Sequence, residues 1–183
     1  MHREGDFKQG LIIDHSSMLF TWRDDDSNKV AAIGEALNAT MKQSCAEKVQ
    51  PQKSANWICQ IMEQLPDCWE HLSSLEYLDL SDNKLSGKLP QSLGTLVNLG
   101  ALALRNNSVT RKLPFTLKNC TSLYILDVGE NLLSGTIPSW IGKSLQQLEI
   151  LSLRVNRFFG SVPVHLCYLM QIHLLDLSRN HLS

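Results

Sequence analysis

Few residues of this 183-residue sequence have the types and spacing that metal or phosphate chemistry requires. Cys68 and His71 have the spacing of half a zinc site, but no second pair of ligands accompanies them. The Gly-Lys-Ser run at residues 142–144 resembles the end of a phosphate-binding loop, yet Ile137 stands where that loop needs its first glycine. The sequence therefore predicts no metal site and no cofactor.

Motifs for acid–base or nucleophilic catalysis are also missing. The six histidines are scattered, and neither the HExxH pattern of zinc hydrolases nor the GxSxG pattern of serine hydrolases occurs. The acidic run at residues 24–26 lacks the alternating ligand spacing of a calcium loop, so we interpret it as a solvated loop. We expect no enzymatic activity, and function must then lie in binding.

The element that would position a binding surface is a repeated sequence motif, in which leucines at fixed spacing surround an asparagine. The pattern L-x-x-L-x-x-L-x-L-x-x-N-x-L recurs at separations of 24, 24, 25 and 24 residues. Its asparagines are Asn83, Asn107, Asn131, Asn156 and Asn180. A fixed period in the low twenties with this leucine spacing is typical of a solenoid of leucine-rich repeats.

The spacing within one phrase predicts its local structure. In L-x-L the side chains alternate, so both leucines face one side and the residue between them faces the other. We expect the strands to centre on 78–80, 102–104, 126–128, 151–153 and 175–177 in one parallel sheet. The leucines stack into a core, and each asparagine amide should bond the backbone of neighbouring turns, because buried backbone groups need partners.

The second half of each phrase carries L-S-G-x-L/I-P, at residues 85–90 and 133–138. Glycine permits a tight bend and proline lacks an N–H donor, so we expect a short, irregular, partly 3₁₀ convex side. This wording resembles the plant-specific leucine-rich repeats of cell-surface receptor-like proteins. The phrases LPDCW, LRNNSVT, LKNCTSL, LSGTIPSWIGKSL and LDLSRNHLS are similar to those of the group that includes the ethylene-inducing xylanase receptors.

The predicted fold class is α/β, a leucine-rich-repeat solenoid with a parallel concave sheet, preceded by a short helical segment. Residues 1–29 resemble a partial amino-terminal cap, and residues 30–56 form an amphipathic helix and linker on their spacing. Residues 57–183 then hold half a repeat, four full repeats and one truncated repeat. Five cysteines are an odd number, and Cys120 replaces a core leucine, so we expect it to be buried.

Outward positions of the strands should form columns on the concave face, one residue from each repeat. Because such folds bind through that face, we expect ligand contacts from its polar residues. The candidates are Tyr77, Asp79, Ser81, Asp82, Arg105, Asp127, Glu130, Ser152, Arg154, Asp176 and Arg179. Asn38, Asn106 and Asn119 begin N-x-S/T acceptor sequences for glycosylation of a secreted chain.

The resemblance implies a ligand-recognition segment of a plant receptor-like protein in defence or developmental signalling. Its partners would be a protein or peptide ligand and a co-receptor kinase, and the parent protein would lie on the extracellular face of the plasma membrane. The net charge of −1 argues against nucleic acid. No signal peptide or membrane-spanning run is visible. The alternatives are a secreted inhibitor resembling the polygalacturonase-inhibiting proteins, or a truncated product without function.

Overall fold

The computed structural model describes residues 64, 65, 67 and 69–183. The predicted cap-like segment at 1–29 and the predicted helix and linker at 30–56 lie outside the described residues. So do the acidic run at 24–26, the glycosylation candidate Asn38 and the cysteine Cys68. The domain boundaries proposed from the sequence therefore stay predictions.

Each repeat contributes one strand to a first sheet of five parallel strands. These strands are β1 (Tyr77–Asp79), β3 (Ala101–Ala103), β5 (Ile125–Asp127), β7 (Ile150–Ser152) and β9 (Leu174–Asp176). The single parallel sheet predicted from the repeat is confirmed, but its strands begin and end one residue earlier than predicted. Pairing starts early because the amides of Gly100 and Ala101 both bond the Glu76 carbonyl. Backbone bonds to the next repeat continue beyond β1, from the Leu80 amide to the Ala103 carbonyl and from the Asp82 amide to the Arg105 carbonyl, and the chain turns at Asp82, whose φ is 57°.

The inward leucines of the first sheet form the core, as predicted. Leu78, Leu102, Leu126 and Leu151 are each at most 1% exposed. Leu175 is 44% exposed, since among the described strands β9 pairs only with β7. Burying such side chains removes apolar surface from water, which is the main source of stability in this fold.

Cys120 lies fully buried in this core, which confirms its predicted role as a small apolar residue. Burial raises the pKa of the Cys120 thiol to about 11, because the charged thiolate would lose its solvation. The thiol therefore stays protonated at neutral pH and has little nucleophilic character.

A second parallel sheet runs beside the first one, and the sequence did not predict it. Its strands are β2 (Ser86–Lys88), β4 (Ser108–Arg111), β6 (Leu132–Gly135), β8 (Arg157–Gly160) and β10 (His181–Leu182). They contain the L-S-G segments that were expected to be irregular. Glycine with positive φ bends these strands, as at Gly135 with φ 101°, while stacking of successive repeats pairs them.

The asparagines of four repeats, Asn107, Asn131, Asn156 and Asn180, tie the two sheets together, as the Asn131 contacts show. The Asn131 amide nitrogen donates to the Leu104 and Gly129 carbonyls of the first-sheet segment, each at 2.9 Å. Its oxygen accepts the amide of Val109 in β4, also at 2.9 Å. Asn131 and Asn156 are each 6% exposed, so these bonds satisfy backbone groups that water cannot reach. The predicted backbone-bonding role of the asparagines is confirmed.

Short helical turns complete the repeats on the convex side, as expected. Four are 3₁₀ turns, Trp69–Leu72, Gln91–Thr95, Phe115–Asn119 and Val164–Tyr168, and one is a short α-helix, α1 (Trp140–Ser144). The Gly-Lys-Ser run at 142–144 lies in α1. A Cβ atom at Gly142 would collide with the His165 backbone carbonyl of the next repeat, so this glycine serves close packing.

Candidate functional site

The face of the first sheet that points away from the leucine core is called the concave face below. The L-x-x-L spacing leaves two neighbouring outward residues ahead of the inward leucine of each strand, such as Glu76 and Tyr77 ahead of Leu78. The Glu76 carbonyl accepts the amides of Gly100 at 2.8 Å and Ala101 at 3.1 Å, and the next repeats copy this double bond. The face therefore has one more row of side chains than simple alternation predicts.

Five rows of outward residues cross the concave face, one residue from each repeat. The edge row is Glu76, Gly100, Tyr124, Glu149 and His173, and the apolar row is Tyr77, Ala101, Ile125, Ile150 and Leu174. The aspartate row is Asp79, Ala103, Asp127, Ser152 and Asp176, and the arginine row is Ser81, Arg105, Gly129, Arg154 and Ser178. The turn row is Asp82, Asn106, Glu130, Val155 and Arg179.

The apolar row is continuous because its members pair directly in register. Tyr77 lies opposite Ala101, Ala101 opposite Ile125, and the pairing continues through Ile150 to Leu174. Tyr77 is 41% exposed and the other four are half-buried. A stripe of apolar side chains thus lies open to solvent across all five strands.

A tyrosine pair joins the edge row to the apolar row. The rings of Tyr77 and Tyr124 meet edge to face, with centroids 6.4 Å apart. Tyr124 lies over Gly100, where an added Cβ would come within 2.7 Å of its Cε1. Burial and the hydrogen bond with Tyr77 raise the pKa of the Tyr124 hydroxyl, so the hydroxyl stays neutral.

The aspartate row has a structural role as well as an exposed charge. The Oδ1 atoms of Asp79, Asp127 and Asp176 each accept the backbone amide two residues ahead at 2.9 Å. This bond turns the chain at the end of the strand and leaves the second carboxylate oxygen for other partners. Burial raises the pKa of Asp127, and the bonds from Gly129 and Ser152 and the charge of Arg105 offset this only in part.

The arginine row pairs with carboxylates of neighbouring repeats. The Arg105 guanidinium donates to Glu130 Oε1 at 2.6 Å, and this pair is partly buried. Arg154 lies 3.9 Å from Asp176 Oδ2 and 3.4 Å from Ser178 Oγ. These pairs hold the arginines along the surface and neutralise part of their charge.

All eleven ligand-contact candidates predicted from the sequence lie on the concave face, within its apolar, aspartate, arginine and turn rows. The sequence analysis missed Glu76, Tyr124 and Glu149 of the edge row, and Ile125 and Ile150 of the apolar row. The signal for them was the L-x-x-L spacing, which places two outward residues between inward leucines.

The two described glycosylation candidates differ in their surroundings. Asn106 lies in the turn row with φ 53°, and its amide nitrogen donates to Asp82 Oδ1 at 2.8 Å. Asn119 is exposed at the end of the 3₁₀ turn Phe115–Asn119, on the convex side. A glycan at Asn106 would stand at the border of the concave face, whereas one at Asn119 would leave that face open.

Metal-binding and membrane-spanning features were searched for among the described residues. In that part of the chain no three His, Cys, Asp or Glu side chains come close enough to hold a metal ion. None of its helices has both the length and the apolar character needed to cross a membrane.

Known proteins share this repeat and its architecture. The family model of the leucine rich repeat matches residues 74–96 and 122–144. Receptor-like protein 13 of Arabidopsis thaliana is 38% identical over 179 residues, which cover 97% of this chain and 16% of that protein. The chain spans from 6% to 16% of the length of eight Arabidopsis receptor-like proteins that it matches.

Solved structures of plant receptor ectodomains are similar to the described repeats. The leucine-rich-repeat ectodomain of the Arabidopsis membrane receptor kinase GASSHO1/SCHENGEN3, in complex with CASPARIAN STRIP INTEGRITY FACTOR 2, has a TM-score of 0.63 and 40% identity over 65% of this chain and 14% of that one. The Arabidopsis receptor kinase HAESA, in complex with the peptide hormone IDA and the co-receptor SERK1, has a TM-score of 0.63 and 37% identity. That similarity covers 66% of this chain and 20% of HAESA.

Proposed function

We propose that this chain, which belongs to the plant leucine-rich-repeat receptor-like proteins, recognises a peptide or protein ligand on its concave face. It would act as a non-catalytic recognition segment of a cell-surface receptor in defence or developmental signalling. The observation that carries this proposal is the apolar row, a solvent-open stripe across all five strands with charged rows on both sides. Such a surface can bury apolar area and align polar contacts along an extended ligand.

The similar structures support this reading over the inhibitor alternative. The structures named above are those of receptor kinases, one in complex with CASPARIAN STRIP INTEGRITY FACTOR 2 and the other with a peptide hormone and a co-receptor. By analogy, the receptor that contains this chain would bring its ligand to a co-receptor kinase. The matching relatives are receptor-like proteins, and this supports a parent protein at the plasma membrane with its repeats outside.

A selection from a displayed library of random peptides tests the proposed function. The full chain is the bait, and Ile150→Arg places a long charged side chain within the apolar row, between Ile125 and Leu174. Lys143→Glu in α1 is the matched control, because it changes charge on the convex side. We expect enriched peptides that bind the unaltered chain and the Lys143→Glu variant but not Ile150→Arg. Absence of enrichment, or equal binding to all three proteins, would refute recognition through this face.

If the chain is secreted, we expect glycans at Asn106 and Asn119, with higher occupancy at one of them. When the chain is expressed through a plant secretory pathway behind an added signal peptide, we expect Asn119 to be modified more fully than Asn106. The Asn106 amide is engaged with Asp82 and its backbone is held in the left-handed region. Peptide mass spectrometry measures both occupancies, and two bare sites would argue against an extracellular origin.

A further inference from the structure

We propose that the ligand of the concave face is an extended peptide segment that carries both apolar and basic side chains. This inference rests on the proposed function and names the chemistry of the ligand. It depends on the apolar row and on the carboxylates that border that row on both sides.

The apolar row sets the path of the ligand. Its five side chains pair in register, so they follow a line across the strands with a spacing of about 4.8 Å per strand. The distance from Tyr77 to Leu174 is thus about 19 Å, which an extended peptide covers with about six residues. The tyrosine pair widens the apolar surface at the Tyr77 end, where an aromatic edge and face are both available.

Carboxylates line both sides of this path. Glu76 and Glu149 stand in the edge row, and Asp79, Asp127 and Asp176 stand in the aspartate row. Among the described residues only Asp176 of these five forms an ion pair, with Arg154 at 3.9 Å. The arginine row lies on the far side of the aspartate row, where Arg105 is already paired with Glu130 at 2.6 Å. The strip next to the apolar row therefore carries uncompensated negative charge.

Asp127 occupies the centre of this strip and marks where a cation would help most. Burial raises its pKa in spite of the amide of Gly129 and the nearby Arg105, so its charge is poorly stabilised in the free protein. A basic side chain of the ligand, placed beside the Asp127 carboxylate, would stabilise the ionised form. Basic side chains above Tyr77 and Tyr124 would gain further from the ring faces.

Basic and apolar residues can serve together because an extended peptide alternates its side chains between two directions. When one set packs down on the apolar row, the other set points sideways or outward, within reach of the carboxylate rows for side chains as long as lysine or arginine. An acidic peptide of the same shape would meet like charges on both sides, which costs binding energy.

Three synthetic octapeptides, acetylated and amidated, test this inference by titration calorimetry with the full chain. One alternates leucine and lysine, one alternates leucine and glutamate, and one alternates serine and lysine. We expect the leucine–lysine peptide to bind about tenfold or more tightly than either of the others at about 0.15 M salt, a difference that falls as salt rises. Equal binding of the leucine–lysine and leucine–glutamate peptides would overturn the charge assignment.

Charge-reversed variants locate the binding. In the double variant Glu76→Lys/Glu149→Lys we expect the preference for the leucine–lysine peptide over the leucine–glutamate peptide to fall at least severalfold, because the aspartate row alone still favours lysine. In Ile150→Ser we expect weaker binding of the leucine–lysine peptide. The control Lys88→Glu/Lys143→Glu, on the other faces, should keep the original preference. An unchanged preference in the Glu76/Glu149 variant would refute the inference. If the library selection still yields concave-face peptides that lack basic residues, the inference fails while the proposed function stands.

Discussion

The concave face and the rest of the solenoid surface are built from the same repeats, yet they carry opposite charges. The concave face has seven carboxylates and three arginines, namely Glu76, Asp79, Asp82, Asp127, Glu130, Glu149 and Asp176 against Arg105, Arg154 and Arg179. The remaining described residues include two acidic ones, Asp67 and Glu70, and seven basic ones. The basic residues are Lys84, Lys88, Arg111, Lys112, Lys118, Lys143 and Arg157.

This difference teaches that the fold leaves outward positions free. The inward leucines and asparagines recur because the core and the backbone bonds need them in every turn. An outward position tolerates different residues, as the aspartate row shows by holding Ala103 and Ser152 beside its three aspartates. The segregated charges are therefore not a requirement of the architecture. The net charge of −1 conceals them, because acidic and basic faces cancel in the sum. The charge of this chain therefore has to be considered separately for the concave face and for the rest of the surface.

The largest loss of stability should come from a substitution at Leu126, which is buried in the core behind the concave face. Leu126→Ala removes a fully buried side chain and leaves a cavity, which should cost about 2–5 kcal/mol of unfolding free energy. Gln147→Ala, at an exposed residue of the next repeat, is the control and should change stability by less than about 0.5 kcal/mol. Denaturant melts followed by circular dichroism measure both, and equal losses would contradict the assignment of inward and outward positions.

A second, somewhat smaller effect should come from the bond between the two sheets. Asn131→Ala leaves the Val109 amide and the Leu104 carbonyl without their buried partner, which should cost about 2–4 kcal/mol. Hydrogen exchange should show faster exchange at Val109 in particular. Asn119→Ala changes an exposed asparagine and should alter neither quantity. A loss of stability without any change at Val109 would contradict the bridging role of Asn131.

The parts of the fold that could be predicted are those repeated at a fixed period. Leu102 and Leu126 predict the first sheet because they fit both the alternation of a strand and the 24-residue period. Asn131 recurs at the same period, which predicts its bonds to the backbone. The second sheet could not be predicted in the same way, because Gly135 and the proline that follows it are typical of turns. Its pairing arises from the stacking of successive repeats, which is a tertiary effect that no local pattern records.

The sequence predicted most polar residues of the candidate site but missed most of its apolar residues. Asp127 and Arg154 stand at alternate positions after an inward leucine, so period two finds them. Ile150 was missed because isoleucine in a leucine-rich phrase looks like core, and Tyr124 was missed because strand alternation stops before it. The L-x-x-L spacing allows two outward residues there, and the double hydrogen bond at the Glu76 carbonyl shows how the backbone accommodates both rows.

A substitution at Arg111, in the second sheet, should raise the free energy of unfolding instead of lowering it. It stands where other repeats have glycine, and its φ is 73°. A side chain in this conformation is strained, so Arg111→Gly should raise the unfolding free energy by about 0.5–1 kcal/mol after the added freedom of the unfolded chain is counted. The neighbouring Thr110→Gly is the control and should destabilise, because it removes the Thr110 hydroxyl bond to the Gly87 carbonyl. Thermal melts that rank these variants the other way would contradict strain at Arg111.

The smallest effect should come from the charge of Asp127, and it should depend on pH. The folded-state pKa of Asp127 is raised above its ordinary value of 3.8, so folding favours the protonated carboxyl and the ionised form opposes folding. Above the folded-state pKa the chain therefore carries this cost in full, and stability attributable to Asp127 rises as pH falls through that pKa.

Asp127→Asn removes the charge but keeps an oxygen that can accept the Gly129 amide. At pH 7 this variant should be more stable than the unaltered chain by less than about 1 kcal/mol, and the difference should shrink toward zero below pH 3.8. Asp127→Ala also loses the acceptor for the buried Gly129 amide, so it should be less stable than Asp127→Asn at every pH. Urea melts across pH 3–7 separate the two contributions, because only the charge varies with pH. A stability difference between the Asn variant and the unaltered chain that grows on acidification would show that the Asp127 carboxylate is stabilised, contrary to the burial seen at the centre of the concave face.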